Sequence, residues 1–247
     1  MKKHIPNTIT CCNLVSGCIA TYYAFQSNYL MALLFIIIGA VFDFFDGMTA
    51  RLLHVSSPIG KELDSLADDI TFGFAPSAIV FSFLNAHCTS MAVAARTCSL
   101  CLQRNSSLFT LHSSLPYLAF VMAAFSALRL AKFNLDERQA LGFIGLPTPA
   151  NALFWGSLIV GLNDSSLFTL HPSLPYLILL GTFISSYLLV SEIPMFALKF
   201  KTWGWKGNEV KYIFLLTCIP LLLLLDTLGI AAIIAWYVVL SVITNRK

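Results

Sequence analysis

Long apolar runs separated by short polar breaks dominate the chain. Read by length and hydropathy, they predict eight membrane-spanning helices at about 9–26, 29–53, 65–86, 115–133, 148–163, 173–198, 211–226 and 228–244. Gln26-Ser27-Asn28 breaks the first pair, and Asp226-Thr227-Leu228-Gly229 breaks the last. Residues 54–63 read as a short amphipathic connection. Residues 87–114 form the longest break, polar and cysteine-containing, and are expected to be an external loop. The expected fold class is all-α, a polytopic membrane helical bundle, with one domain over residues 1–247.

Composition agrees with this pattern. Of 247 residues, 57% are hydrophobic and only 11% are charged, against about 25% charged in soluble domains. A soluble globule of this size has no way to hide that much apolar surface. The net charge of +3 gives no ground for a nucleic-acid partner, but its distribution is informative. With the N-terminus in the cytoplasm, Lys2, Lys3, Arg51, Lys61, Arg129, Lys132, Arg138, Lys199, Lys201, Lys206, Lys211, Arg246 and Lys247 lie on that side, and only Arg96 and Arg104 lie outside. This is a strong positive-inside bias. It predicts a multi-pass protein of the cell (inner) membrane.

The N-terminal stretch does not read as a cleaved signal, because Pro6, Asn7, Thr8, Thr10 and Asn13 interrupt the required apolar core. Val15-Ser16-Gly17-Cys18 has the form of a lipoprotein cleavage box; small residues on a packed helix are the plainer reading. Cys11, Cys12, Cys18 and Cys218 are expected to pack as small hydrophobes. Cys98 and Cys101 share the long break with Cys88; Cys98-x2-Cys101 without a second matching pair is a weak metal signal, and a Cys98–Cys101 disulfide is an option where that loop faces an oxidising compartment. A short repeat, Ser106–Leu118 and Ser165–Leu177 with one change, is read as duplicated interfacial sequence, with His112 and His171 as interfacial residues.

The candidate chemistry lies in four aspartates within this apolar sequence. Asp43, Asp46, Asp64 and Asp68 belong to the pattern D-x2-D-G-x2-A-R-x8-G-x3-D-x3-D, which also fixes Gly47, Ala50, Arg51 and Gly60. A carboxylate at a helix centre in a membrane costs roughly 2.5–3.5 kcal/mol on insertion scales. Asp43, Asp46, Gly47 and Ala50 fall on one stripe of the second helix; Gly60, Asp64 and Asp68 fall on one stripe of the third. Antiparallel neighbours joined by a short link bring the stripes face to face. Asp43 lies about 12 Å along the axis from Arg51, a modest depth below the cytoplasmic surface.

Four such carboxylates repel one another unless cations neutralise them, and two Mg²⁺ or Mn²⁺ ions suit hard oxygen ligands. A two-metal site suits phosphoryl-group transfer. Gly47, Ala50 and Gly60 leave room for a bulky nucleotide, and Arg51 is suited to phosphate.

At this point the chain resembles the CDP-alcohol phosphotransferase family, whose signature it matches at all eight fixed positions. The resemblance implies an integral membrane enzyme that displaces CMP from a CDP-linked donor with an alcohol, using a divalent metal. It implies metal ligation by Asp43, Asp46 and Asp64, with Asp68 as proton acceptor that also touches metal. It implies donor contacts from Gly47 and Arg51, and a phosphate contact from Ser57. Ile5-Pro6-Asn7-Thr8-Ile9-Thr10, Asn13-Leu14, Gly60–Asp68, Phe72-Gly73, Arg129–Asn134 and Gly145–Ala150 are similar to the bacterial and archaeal serine-using branch of that family. That branch implies CDP-diacylglycerol and L-serine as substrates, membrane lipid as surroundings and a homodimer. Thr71, where serine is more usual, and the long 87–114 break depart from it.

Secondary candidates carry two readings each. Arg129 and Lys132 are candidates for the acceptor carboxylate, or snorkel to the interface. Asn134, Thr148 and Asn151 donate hydrogen bonds to the acceptor, or serve loop and packing roles. Asn7, Thr10 and Asn13 contact the nucleotide of CDP-diacylglycerol, or Asn7 caps the first helix. Lys61 binds phosphate or faces water. Two rival functions stand beside serine transfer: a sister enzyme using glycerol 3-phosphate or inositol phosphate, and a divalent-cation transporter. The sister enzyme calls for a denser basic pocket, and the transporter calls for inverted repeats with broken helices.

Overall fold

The structure, a computed structural model, describes residues 4–55, 57–97, 114–135, 143–164, 173–195, 204 and 208–244. The Cys98–Cys101 pair, most of the repeat with His112 and His171, and the basic residues Lys2, Lys3, Arg104, Arg138, Lys199, Lys201, Lys206, Arg246 and Lys247 lie outside the described residues.

Helix α1 spans His4–Phe25 and α2 spans Tyr29–Leu52. Asn28 caps α2 by accepting from Met31 N at 3.2 Å. Helix α3, Pro58–Asp68, runs through a π-helical turn, Asp69–Phe74, into α4, Ala75–Thr97. Ser57 caps α3 through a 3.0 Å bond from Gly60 N, and Pro58 supplies the preset φ of a first helical position. The link between the second and third helices is therefore only about five residues, not the ten expected over 54–63. Helix α4 also continues to Thr97 through the alanine-rich stretch Ala92–Ala95, so the expected loop does not begin at residue 87.

A 3₁₀ turn, Leu115–Phe120, leads into α5, Val121–Leu135. Helices α6, Thr148–Asp164, and α7, Leu174–Val190, follow. The span expected to reach 198 stops early. Ser191 is extended, and strand β2 (Pro194–Met195) pairs antiparallel with β1 (Phe143–Ile144). Gly145, at φ 77°, turns the chain between β1 and α6.

Helix α8, Glu209–Thr244, is two arms folded at Asp226, which is non-helical at φ 46° and ψ −120°. Trp236 Nε1 donates to Thr217 Oγ1 at 3.1 Å, and Phe214 packs on Tyr237. The break expected at Asp226 is thus a helical hairpin.

Among the described residues, four helical stretches are long and apolar enough to cross a membrane: Tyr29–Leu52, Pro58–Thr89, Leu115–Leu135 and Glu209–Thr244. A count of eight is not reached on that measure. Polar residues lower the hydropathy of α1. Helices α6 and α7, at 17 residues each, reach only about 26 Å at 1.5 Å per residue.

The core joins α1, α2, α4, α6 and α7 around Ile36, Phe72, Ile79, Leu84, Trp155, Ile159 and Leu189. Helix α1 contributes the stripe Pro6, Thr10, Asn13, Gly17, Ala20 and Ala24. That stripe faces inward, so Cys11, Cys12 and Cys18 lie on the outer face and are exposed, contrary to the expectation that they pack inside; Cys218 is half-buried. Ser16 and Gly17 are buried, as packed small residues should be. Gly17 permits close approach: a Cβ there would come within 2.8 Å of Thr71 Cα.

Candidate functional site

The two aspartate stripes do face each other. Ligand oxygens of Asp43 on α2 and of Asp64 and Asp68 on α3 all lie within 4.8 Å of one another. Asp46 stands beside them at 6% exposure, and its Oδ2 accepts from Thr10 Oγ1 at 2.7 Å. Three carboxylates therefore form the tight group, and the fourth is held one step aside by α1.

Helix α1 is the site's third wall. Asn13, fully buried, donates from Nδ2 to Asp68 Oδ1 at 3.0 Å. Thr71 Oγ1 in turn donates to Asn13 O at 3.0 Å, fastening the π turn to α1. π turns of this kind recur at functional sites.

The arrangement fits a divalent cation. Every donor is a hard carboxylate oxygen, and Asp64 Oδ1 is buried with no protein partner. Such an orphaned oxygen is costly unless something positive meets it.

Beside the aspartates a cavity of about 240 Å³ opens, lined by Pro6, Asn7, Thr10, Asp46, Gly47, Ala50, Val55, Ser57, Gly60, Lys61 and Asp64. Seven of the residues expected at the nucleotide line it: Asn7, Thr10, Gly47, Ala50, Ser57, Gly60 and Lys61. Asn13 and Arg51 do not. Asn13 is spent on Asp68. Arg51 is exposed, and its Nε donates to Gly47 O at 2.9 Å. Asn7 lies within α1 rather than capping it, because the helix already includes His4; its Oδ1 faces Gly60. A Cβ on Gly47 would meet only Arg51 Nη2, at 3.9 Å. Nothing among the described residues requires glycine there, so the open surface is available to a ligand.

Helix α5 closes the far side, antiparallel to α3. Lys61 Nζ donates to Asn134 O at 3.1 Å, and Asn134 Nδ2 donates to Ser65 Oγ at 2.8 Å. One turn deeper, Arg129 is 9% exposed, donates to Thr148 Oγ1 at 3.3 Å, and sits in the field of Asp68. Its Nε has no partner. Lys132 is exposed. The pair is thus split by burial: Arg129 is buried near Asp68, and Lys132 is exposed. Asn151 is fully buried with both amide atoms unpartnered, and it lines an apolar cavity between α6, α7 and α8. Asp69 Oδ1 and Ser126 Oγ, next to Asp68 and three residues before Arg129, are also buried without a hydrogen-bond partner.

Together these features define a helical membrane protein with a polycarboxylate centre beside a glycine-lined cleft. The CDP-alcohol phosphatidyltransferase family model matches residues 3–244, and the chain belongs to that family. It is 36% identical over 191 residues to the CDP-diacylglycerol–serine O-phosphatidyltransferase of Bacillus subtilis (strain 168), covering 77% of this chain and 89% of that one. It is 29% identical over 212 residues to the enzyme of the same name from Helicobacter pylori (strain ATCC 700392 / 26695), covering 85% and 79%. A relative of that name from Methanocaldococcus jannaschii is 30% identical over 158 residues, covering 64% and 59%.

Proposed function

We propose that the chain transfers the phosphatidyl group of CDP-diacylglycerol to the hydroxyl of L-serine, giving phosphatidylserine and CMP. The observation that carries this is the convergence of Asp43, Asp64 and Asp68 within 4.8 Å beside a glycine-lined cleft, in a chain whose relatives bear that enzyme's name.

Asp43, Asp46, Asp64 and Asp68 would hold two divalent cations, Mg²⁺ or Mn²⁺, which when bound supply electrostatic stabilisation of pyrophosphate oxygens. The cleft lined by Asn7, Gly47, Ala50, Ser57, Gly60 and Lys61 receives the CDP moiety. Glycine at 47 and 60 lets the nucleotide approach the helix backbone, and Lys61 offers charge to phosphate. Arg51, exposed one turn from Gly47 and bonded to its carbonyl, would turn from that bond to reach the donor. The acyl chains stay in the bilayer.

Asp68 takes the proton of the serine hydroxyl as its oxygen bonds to the diacylglycerol-bearing phosphorus; the phosphorus–oxygen bond to CMP breaks. Asn13 holds Asp68 at one oxygen and leaves the other for that proton. Arg129 pairs with the serine carboxylate.

We further propose one catalytic domain over 1–247, a homodimeric state, and a cell inner-membrane location with the cleft facing the cytoplasm, as the distribution of Lys and Arg favours.

The test is CMP release by membranes carrying the protein, supplied with CDP-diacylglycerol and Mn²⁺ or Mg²⁺. The acceptors compared are serine, glycerol 3-phosphate, inositol phosphate and none. Serine-dependent release is expected. Release that needs glycerol 3-phosphate and ignores serine overturns the assignment.

A further inference from the structure

We propose that Thr10 is a positioning residue for Asp46 and thereby sets the second of the two cation sites. This rests on the two-cation reading of the carboxylates and assigns one residue of α1 to it.

Asp43, Asp64 and Asp68 present oxygens within 4.8 Å of one another, a spacing that suits one shared cation. Asp46 is not in that group, yet its charge bears on all three. It is the signature carboxylate left to complete a second site. Whatever turns its side chain therefore decides how that site closes.

Thr10 is placed to turn it. Both residues are buried. The Thr10 hydroxyl has one proton and two acceptors in reach. Pro6 O, four residues back on the same helix, lies at 3.1 Å, and Asp46 Oδ2 lies at 2.7 Å. Bonding back to the i−4 carbonyl is the ordinary habit of a helical threonine. Here the shorter contact is to a carboxylate, with the length of a charge-assisted O–H···O⁻ bond, so the proton goes to Asp46. A carboxylate has about four lone-pair sites. One bond from Thr10 fixes its plane and leaves the others for a cation.

The stripe of α1 gives the arrangement a regular form. Thr10 and Asn13 are three residues apart on one face, and each holds a different aspartate, Asp46 and Asp68. Partners of this kind orient metal ligands, and losing one costs about 10- to 100-fold in metal affinity. Thr10 also lines the cleft, so the test must separate the cation from the nucleotide.

Purified full-length protein, free of CDP-diacylglycerol, is titrated with Mn²⁺ by calorimetry. The unmodified protein is expected to bind two ions. Thr10→Val keeps the side-chain shape and removes the hydroxyl. It should raise the Kd of the weaker ion by about 10- to 100-fold and that of the tighter ion by less than about threefold. Thr10→Ser, which keeps the hydroxyl, should restore the weaker site. On an Asp46→Asn background Thr10→Val should add less than about twofold, because it acts through Asp46. Thr10→Ala decides the matter if Thr10→Val fails to fold. An unchanged isotherm in the folded variant overturns the proposal, and a raised KM for CDP-diacylglycerol beside it returns Thr10 to the nucleotide. Equal weakening of both ions, the mark of a general loosening, overturns it too. Fewer than two Mn²⁺ bound by the unmodified protein overturns instead the two-cation reading.

Discussion

Asn13 Nδ2 donates to Asp68 Oδ1 at 3.0 Å, across 55 residues of sequence. Asn13 is fully buried and Thr71 bonds its backbone carbonyl. At Asn13 the first helix is therefore a structural arm of the carboxylate site, aiming the proposed base, while its Asn7 and Thr10 line the cleft.

Replacing Asn13 with alanine should let Asp68 turn. A hydrogen bond to a charged group lost at this point is expected to lower kcat by about 10- to 100-fold, with KM for CDP-diacylglycerol changed by less than about threefold. Steady-state kinetics on the purified variant check this. An unchanged kcat would mean that Asn13 does not aim the base.

Asp68→Asn keeps the side-chain shape but cannot accept the serine proton. Loss of a general base is worth about 10²- to 10⁴-fold in rate. The variant should retain its thermal midpoint while CMP release falls to background. Full activity would contradict the assignment of the base.

Two glycine-to-alanine changes should separate packing from ligand approach. In Gly17→Ala, the new methyl meets backbone atoms of Thr71 at 2.8 and 3.0 Å, so α1 must move off the π turn and the thermal midpoint should drop. In Gly47→Ala, the methyl meets only Arg51 Nη2 at 3.9 Å, so the fold should be unaffected while KM for CDP-diacylglycerol rises by about tenfold or more. Equal midpoints for the two variants, or a normal KM in Gly47→Ala, would show that this distinction is misplaced.

Metal removal gives a readout independent of turnover. Chelation should abolish CMP release, and Mn²⁺ or Mg²⁺ should restore it. At a hundredfold excess over its Kd the cation should stabilise the fold by about 2.7 kcal/mol, seen as a rise in thermal midpoint. Asp64→Asn removes a ligand and should shrink that rise. A midpoint indifferent to metal in the unmodified protein would refute the carboxylate cluster as a cation site.

Much of the site could be read from spacing alone. Asp43 and Asp46 on one helix and Asp64 and Asp68 on the next are set by helical periodicity, and a short link leaves two antiparallel helices little choice but to face each other. The turn at Asp226 was equally plain, because a polar break in so long an apolar run forces a reversal. Less legible were the ends of elements. The capping of α3 by Ser57 and the pairing of β1 with β2 moved boundaries by several residues, since both depend on bonds that hydropathy does not see.

The amino-acid order by itself determined a membrane-embedded helical chain carrying carboxylates at metal-binding spacing. Only the tertiary structure decided that Asn13 serves Asp68, that Arg129 is buried while Lys132 is exposed, and that Cys11 and Cys12 lie on the surface. The reason is physical. In a bilayer the lipid is as apolar as the protein core, so hydrophobicity cannot mark which face of a helix is buried. That choice is made by polar bonds and close backbone contacts between helices far apart in the chain.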